Sequence, residues 1–99
     1  MSNRVYSGSG VVFIDANLTN PNSCLKSNTR LSLCLEDEYV GIVEIQLEEG
    51  MMLPNGKDHK VDVRLISPHK FTKGTILDIR DPIARIGSFQ VIELRESVR

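Results

Sequence analysis

Tryptophan is absent from this chain and aromatics make up only 5% of it, a composition that suits small interlocking strands more than a surface built to stack ligands. No apolar run approaches the roughly 18 residues that a membrane-spanning helix needs. Met1-Ser2-Asn3-Arg4 is followed by Ser and Gly in place of an apolar signal core, so the expectation is a cytoplasmic protein with no membrane role. Cysteine is scarce as well. Cys24 and Cys34, with no targeting segment, read as reduced thiols, and the sequon Asn17-Leu18-Thr19 carries no weight outside the secretory pathway. Nor does charge of one sign dominate: the formal net charge is −1, without the basic excess usual in proteins that rely on phosphate contacts. Its distribution is uneven, however. Residues 1–50 hold three Lys or Arg against seven Asp or Glu, and residues 51–99 hold nine against six; because strands from both halves mix in one barrel this reads first as interleaved surface charge, and the sharper alternative is a basic face built by the second half, which could serve RNA.

What the chain does have is short β-type runs of Val, Ile and Leu divided by Pro, Gly, Asn and Asp. Its 99 residues make one domain, large enough to bury a modest core without metal or disulfides. From Val61 to Leu94 three runs alternate. Val61, Val63 and Leu65 oppose Asp62 and Arg64; Leu77 and Ile79 oppose Asp78 and Arg80; Ile86, Ile92 and Leu94 share a parity that Ser88 and Gln90 interrupt. The connections are too short for crossover helices, which predicts an antiparallel meander. Earlier, Arg4–Ile14 reads as a long strand whose Gly8 and Gly10 tolerate a bulge or a close backbone approach. Arg30–Leu35 sets Leu31, Leu33 and Leu35 against Arg30, Ser32 and Cys34, and 41–47 sets Val43, Ile45 and Leu47 against Ile42, Glu44 and Gln46. Between these runs, Asp15–Thr29 is the longest loop, rich in residues that bond their own backbone. Glu36-Asp37-Glu38 is a solvated turn or a contact for a basic partner. Met51, Met52 and Leu53 are read first as core plugs, with an exposed apolar patch as the alternative, Asn55-Gly56 marks a turn in which both residues accept positive φ, and the tail from Arg95 to Arg99 is expected to fray. About six strands in so short a chain predict an all-β fold, a closed six-stranded antiparallel barrel, since closure removes unpaired edges.

Nothing in the pattern assembles a catalytic site. Ser7-Gly8-Ser9-Gly10 lacks the Gly-Lys-Ser/Thr ending of a phosphate loop and no helical pattern follows it. His59 and His69 lie at strand ends with no CxxC, HxH or HExxH spacing, so no metal site is predicted. Asp78 and Glu93 read as solvated carboxylates, and Asp81-Pro82 as the start of a turn. Without a nucleophile, base or metal held by convergent neighbours, the expectation is a non-enzyme without cofactors.

From Gly50 to Leu94 the chain resembles the C-terminal, third domain of the elongation factor Tu family of translational GTPases. The resemblance is carried by Gly50-Met51-Met52-Leu53-Pro54 before a turn and by the alternating strand Val61-Asp62-Val63-Arg64-Leu65-Ile66 ending at Ser67-Pro68. It continues through Lys73-Gly74, the strand end Ile79-Arg80-Asp81 where the family has Ile-Arg-Glu, and Ile86-Gly87 where it has Val-Gly. The resemblance implies a six-stranded antiparallel barrel, here as a stand-alone domain. No GxxxxGK[ST] motif is present, so no nucleotide is expected.

In the family one face of this barrel contacts the T-stem of aminoacyl-tRNA. By the resemblance, Asp81 stands at a tRNA-contacting Glu, but the Gly that follows is Pro82. A Lys becomes Ser67, a Gln falls on Leu31, and a Thr pair falls on Glu36-Asp37, changes that would repel phosphate. The leading expectation is therefore a non-catalytic protein-interaction module whose partner is another protein or a second copy of the chain, as a dimer. Translation-related RNA is the alternative. Contact residues for either partner are expected among Arg64, Lys70, Lys73, Arg80, Asp81 and Arg85.

Overall fold

A computed structural model describes residues 3–15, 24–82 and 84–97. Among the described residues eight strands follow in chain order: β1 (Arg4–Ile14), β2 (Cys24–Lys26), β3 (Arg30–Leu35), β4 (Glu38–Gln46), β5 (Met52–Pro54), β6 (Asp58–Ser67), β7 (Ile76–Arg80) and β8 (Arg85–Glu96). Six of them close into a barrel in the order β1-β6-β4-β3-β7-β8, with β8 returning to β1 and every pair antiparallel. The all-β, closed six-stranded barrel is as expected. β2 and β5 form a separate two-stranded ribbon.

The inward side chains make one apolar core. Val12, Leu33, Val43, Ile45, Leu65, Leu77, Ile79 and Phe89 are wholly buried, which is what period-two alternation on a closed sheet produces. Leu31, Leu47 and Leu53 pack against them from the margin. Ser67 is the one buried polar residue among those described. Its hydroxyl donates to the Val40 carbonyl and accepts from the His69 amide at 3.0 Å, so its burial leaves no hydrogen-bonding group unmet.

Several local expectations are corrected. The stretch from Val61 to Leu94 is not a meander: β7 pairs with β8, but β6 pairs with β1 and β4, and the connection 68–75 passes over the end of the barrel. Short connections rule out helical crossovers, yet they do not force neighbours in sequence to be neighbours in the ladder. The Asp15–Thr29 loop contains β2, because Cys24–Lys26 finds partners in Met52–Pro54; residues 16–23 lie outside the described residues. Met51 and Met52 are exposed, the latter at 58%, since β5 lies in the ribbon and not in the barrel wall. Of Asn55 and Gly56, only Gly56 adopts positive φ, at 87°. In the tail, β8 continues to Glu96, held by the Arg4–Glu96 ion pair at 3.2 Å and by the Ser97 amide donating to Val5 O at 2.7 Å. Residues 98 and 99 are outside the described residues.

The parity of the third run also changes. Gly10 pairs with Val91 and Ser9 with Glu93, leaving Ile92 as an extra residue in β8. This bulge inverts the alternation, so the core side reads Gly87, Phe89 and Val91 before it and Leu94 after it. Gly8 and Gly10 are what the seam requires, as expected. A Cβ on Gly8 would collide with the Glu93 carbonyl, and one on Gly10 with the Phe89 ring. A second bulge in β4 sets Gly41 opposite Leu33 and Tyr39 opposite Cys34, so that Val40 becomes the additional residue and turns inward.

Candidate functional site

The β3–β4 hairpin is the tightest in the barrel wall. Leu35 pairs with Glu38, and the two residues between them, Glu36 (φ 52°) and Asp37 (φ 67°), both take left-handed backbone, the requirement of a type I′ turn. Leu35 shares the inward parity of Leu31 and Leu33 but lies beyond the last barrel layer and is 42% exposed. Tyr39 is 57% exposed, and Ile76, opening β7 at the same end, 59%. Cys34, placed by its alternation on the water side with Arg30 and Ser32, is buried, flanked in the ladder by Tyr39 and Asp78. Both cysteines are free thiols.

Opposite the hairpin, the connection 68–75 is pinned to the barrel. The Tyr6 hydroxyl donates to His69 O at 2.7 Å, and the Tyr6 and Phe71 rings meet edge to face at 6.3 Å. Burial pushes the Tyr6 phenol above its usual 10.0, with Arg4 opposing and Glu96 adding to the shift. Between hairpin and connection lies a cavity of about 290 Å³, lined by apolar Leu35, Val40 and Phe71, by Glu36 and Glu38 on the hairpin side, and by His69 and Lys70 on the other. Its size sits at the bottom of the roughly 300–1,000 Å³ range of small-molecule sites. A second hollow, about 300 Å³, lies on the outer face at Ser7, Gly8, Ser9, Asp62, Glu93 and Arg95. A third, about 350 Å³, is formed at Lys26, Ser27, Glu49, Gly50, Met51 and Met52.

The expected contact residues are scattered over three places. Arg64 projects outward from β6 between Ser7 of β1 and Glu44 of β4. Lys70 and Lys73 belong to the connection at the cavity end, where Gly74 takes φ 89°. Arg80, Asp81 and Arg85 meet at the β7–β8 hairpin. Arg80 reaches Asp37 at 2.8 Å and Arg85 reaches Asp78 at 3.0 Å. Asp81 accepts the Ala84 amide at 2.7 Å, the turn role that Asp-Pro suggests. Only Lys70 lines the cavity. The side chains around it that alternation could not reveal are Phe71, which sits in an irregular connection, and Leu35, whose pattern reads as core.

Among the described residues no group of three or more His, Cys, Asp and Glu side chains could hold a metal ion, and no helix is long and apolar enough to cross a membrane. His59 bonds Pro54 O at 2.7 Å and His69 is exposed, so the two imidazoles sit apart, at opposite ends of β6.

Compared with known protein families and with curated proteins, the chain has no match. The reading of the site therefore rests on its own geometry.

Proposed function

We propose that this barrel is a non-catalytic protein-interaction module, working in the cytoplasm and related to the third domain of the elongation factor Tu family. The observation that carries the reading is the set of large apolar side chains, Leu35, Tyr39 and Ile76, left open at one end of a barrel whose other inward apolar side chains are buried or packed against the core. Apolar surface gathered in this way marks an interface more often than it decorates a monomer. A closed barrel is common to many families, so the kinship itself rests on the strand-end and turn residues that resemble the family.

Self-association is the simplest form of such an interaction. Light scattering across a concentration series tests it: a dimer that dissociates in a Tyr39→Ser/Ile76→Ser variant is the expected result, and a strict monomer at high concentration would remove self-association. The alternative, translation-related RNA, has less support. Arg80 and Arg85 are already engaged by Asp37 and Asp78, and Lys70 and Lys73 belong to the separate connection 68–75. A salt-dependent complex with tRNA in a filter-binding assay would reverse that preference.

A further inference from the structure

The cavity at the hairpin end is bounded by walls of opposite charge. Glu36 and Glu38 stand on the hairpin and Lys70 on the connection, with the apolar surfaces of Leu35, Val40 and Phe71 between them. Among the described residues no ion pair joins the two walls, so opposite charges are held apart across an apolar gap. Both walls are fixed in place. The hairpin is a two-residue turn whose Asp37 is tied to Arg80. The connection is tied down by Tyr6 on His69, by Ser67 on the His69 amide, and by the edge contact of Phe71 on Tyr6. A hollow of this size, already formed, suits one or two side chains.

We propose that this cavity takes a short segment of a partner protein in which an apolar anchor residue is flanked by a cation on one side and a carboxylate on the other. The anchor fills the space between Leu35, Val40 and Phe71. The cation meets Glu36 and Glu38, and the carboxylate meets Lys70. Such a segment completes both unmatched walls at once, whereas a uniformly basic or acidic segment satisfies one wall and is repelled by the other. This inference rests on the interaction-module reading and specifies the chemistry of its partner.

The test is selection of phage-displayed random twelve-residue peptides on the immobilised protein, with an L35D variant as counter-target, followed by fluorescence-polarisation titration of the enriched peptides. Enriched peptides should carry an apolar residue between charges of opposite sign and bind the wild type at least tenfold more tightly than L35D. On an E36K/E38K variant the selected charges should shift toward acidic at both flanks, and on K70E toward basic at both. All four residues have exposed side chains, so the variants keep the barrel. Peptides that bind at the cavity without this charge pattern, or whose charges do not shift with the two reversals, overturn the assigned occupant and leave the module reading standing. If no peptide distinguishes wild type from L35D, the cavity is not a docking site. If in addition the protein is strictly monomeric, the module reading falls with it.

Discussion

Along the seam between β1 and β8, Gly8 and Gly10 give up their side chains so that the Glu93 carbonyl and the Phe89 ring can occupy the space. At the hairpin end, Leu35, Tyr39 and Ile76 keep large side chains that nothing among the described residues covers. Both regions contain a bulge beside a residue out of step with its strand, Ile92 at one and Val40 at the other. At the seam the bulge closes the wall over a filled interior, and at the hairpin it turns Val40 down while Tyr39 and Leu35 stay outside. Close packing consumes apolar surface at the first place and presents it at the second. The seam should therefore carry stability and the hairpin end should carry recognition.

Mutation can break that division, beginning at the seam. Phe89→Ala empties the wholly buried ring site beneath Gly10 and should cost about 3–5 kcal/mol, a large part of the stability of a domain this size; urea unfolding reads it. Gly8→Ala drives a Cβ into backbone, not into a side chain that could swing away, and should cost about 2–3 kcal/mol while amide exchange rises along β8 near Glu93.

Tyr6→Phe tests the link between the two regions, because Tyr6 reaches from the core to His69 on the cavity wall. Loss of that hydrogen bond should cost about 1 kcal/mol. The pH dependence has a definite sign. The folded chain holds the Tyr6 proton more tightly than the unfolded chain, mainly through burial, so this contribution is complete below the unfolded value near 10.0 and is lost as pH rises through the raised folded value. Stability curves taken from about pH 8 to 11 should fall more steeply for the wild type than for Tyr6→Phe, and parallel curves would show that the phenol is not the group responsible. The smallest effect belongs to the hairpin tip. Glu36→Asn should raise stability by about 0.5 kcal/mol, recovering part of the roughly 1–2 kcal/mol that a left-handed backbone costs an ordinary residue. A loss of stability there would mean that the glutamate contributes to the fold and not only to its surface.

Much of the architecture was legible in the sequence because alternation and turn chemistry are local. Val61, Val63 and Leu65 face inward as their spacing says, the glycines of β1 mark the close approach, and Asp81 builds its turn. What stayed hidden depended on contacts between distant segments. The ladder order turns on where the connection 68–75 crosses, and the ribbon of β2 with β5 is only three residues long, too short to leave a pattern. The parity of β8 depends on the bulge at Ile92, beside which Gly8 leaves room for the Glu93 carbonyl. The cavity was half visible: the acidic run Glu36 to Glu38 could be read as a contact for a basic partner, but Lys70 and Phe71 joined it only through the fold. The five cations singled out from the second half proved to be spread over three places, since strand order and not chain order decides which charges share a face.

Closure of the six-strand ladder bears on the kind of partner the barrel can accept. With every barrel strand hydrogen-bonded to a neighbour on either side, an incoming chain cannot join the barrel wall as a further strand through its main chain. Whatever docks on the wall must be recognised by its side chains, so binding there will depend on the visitor's sequence and will tolerate few substitutions at the anchor.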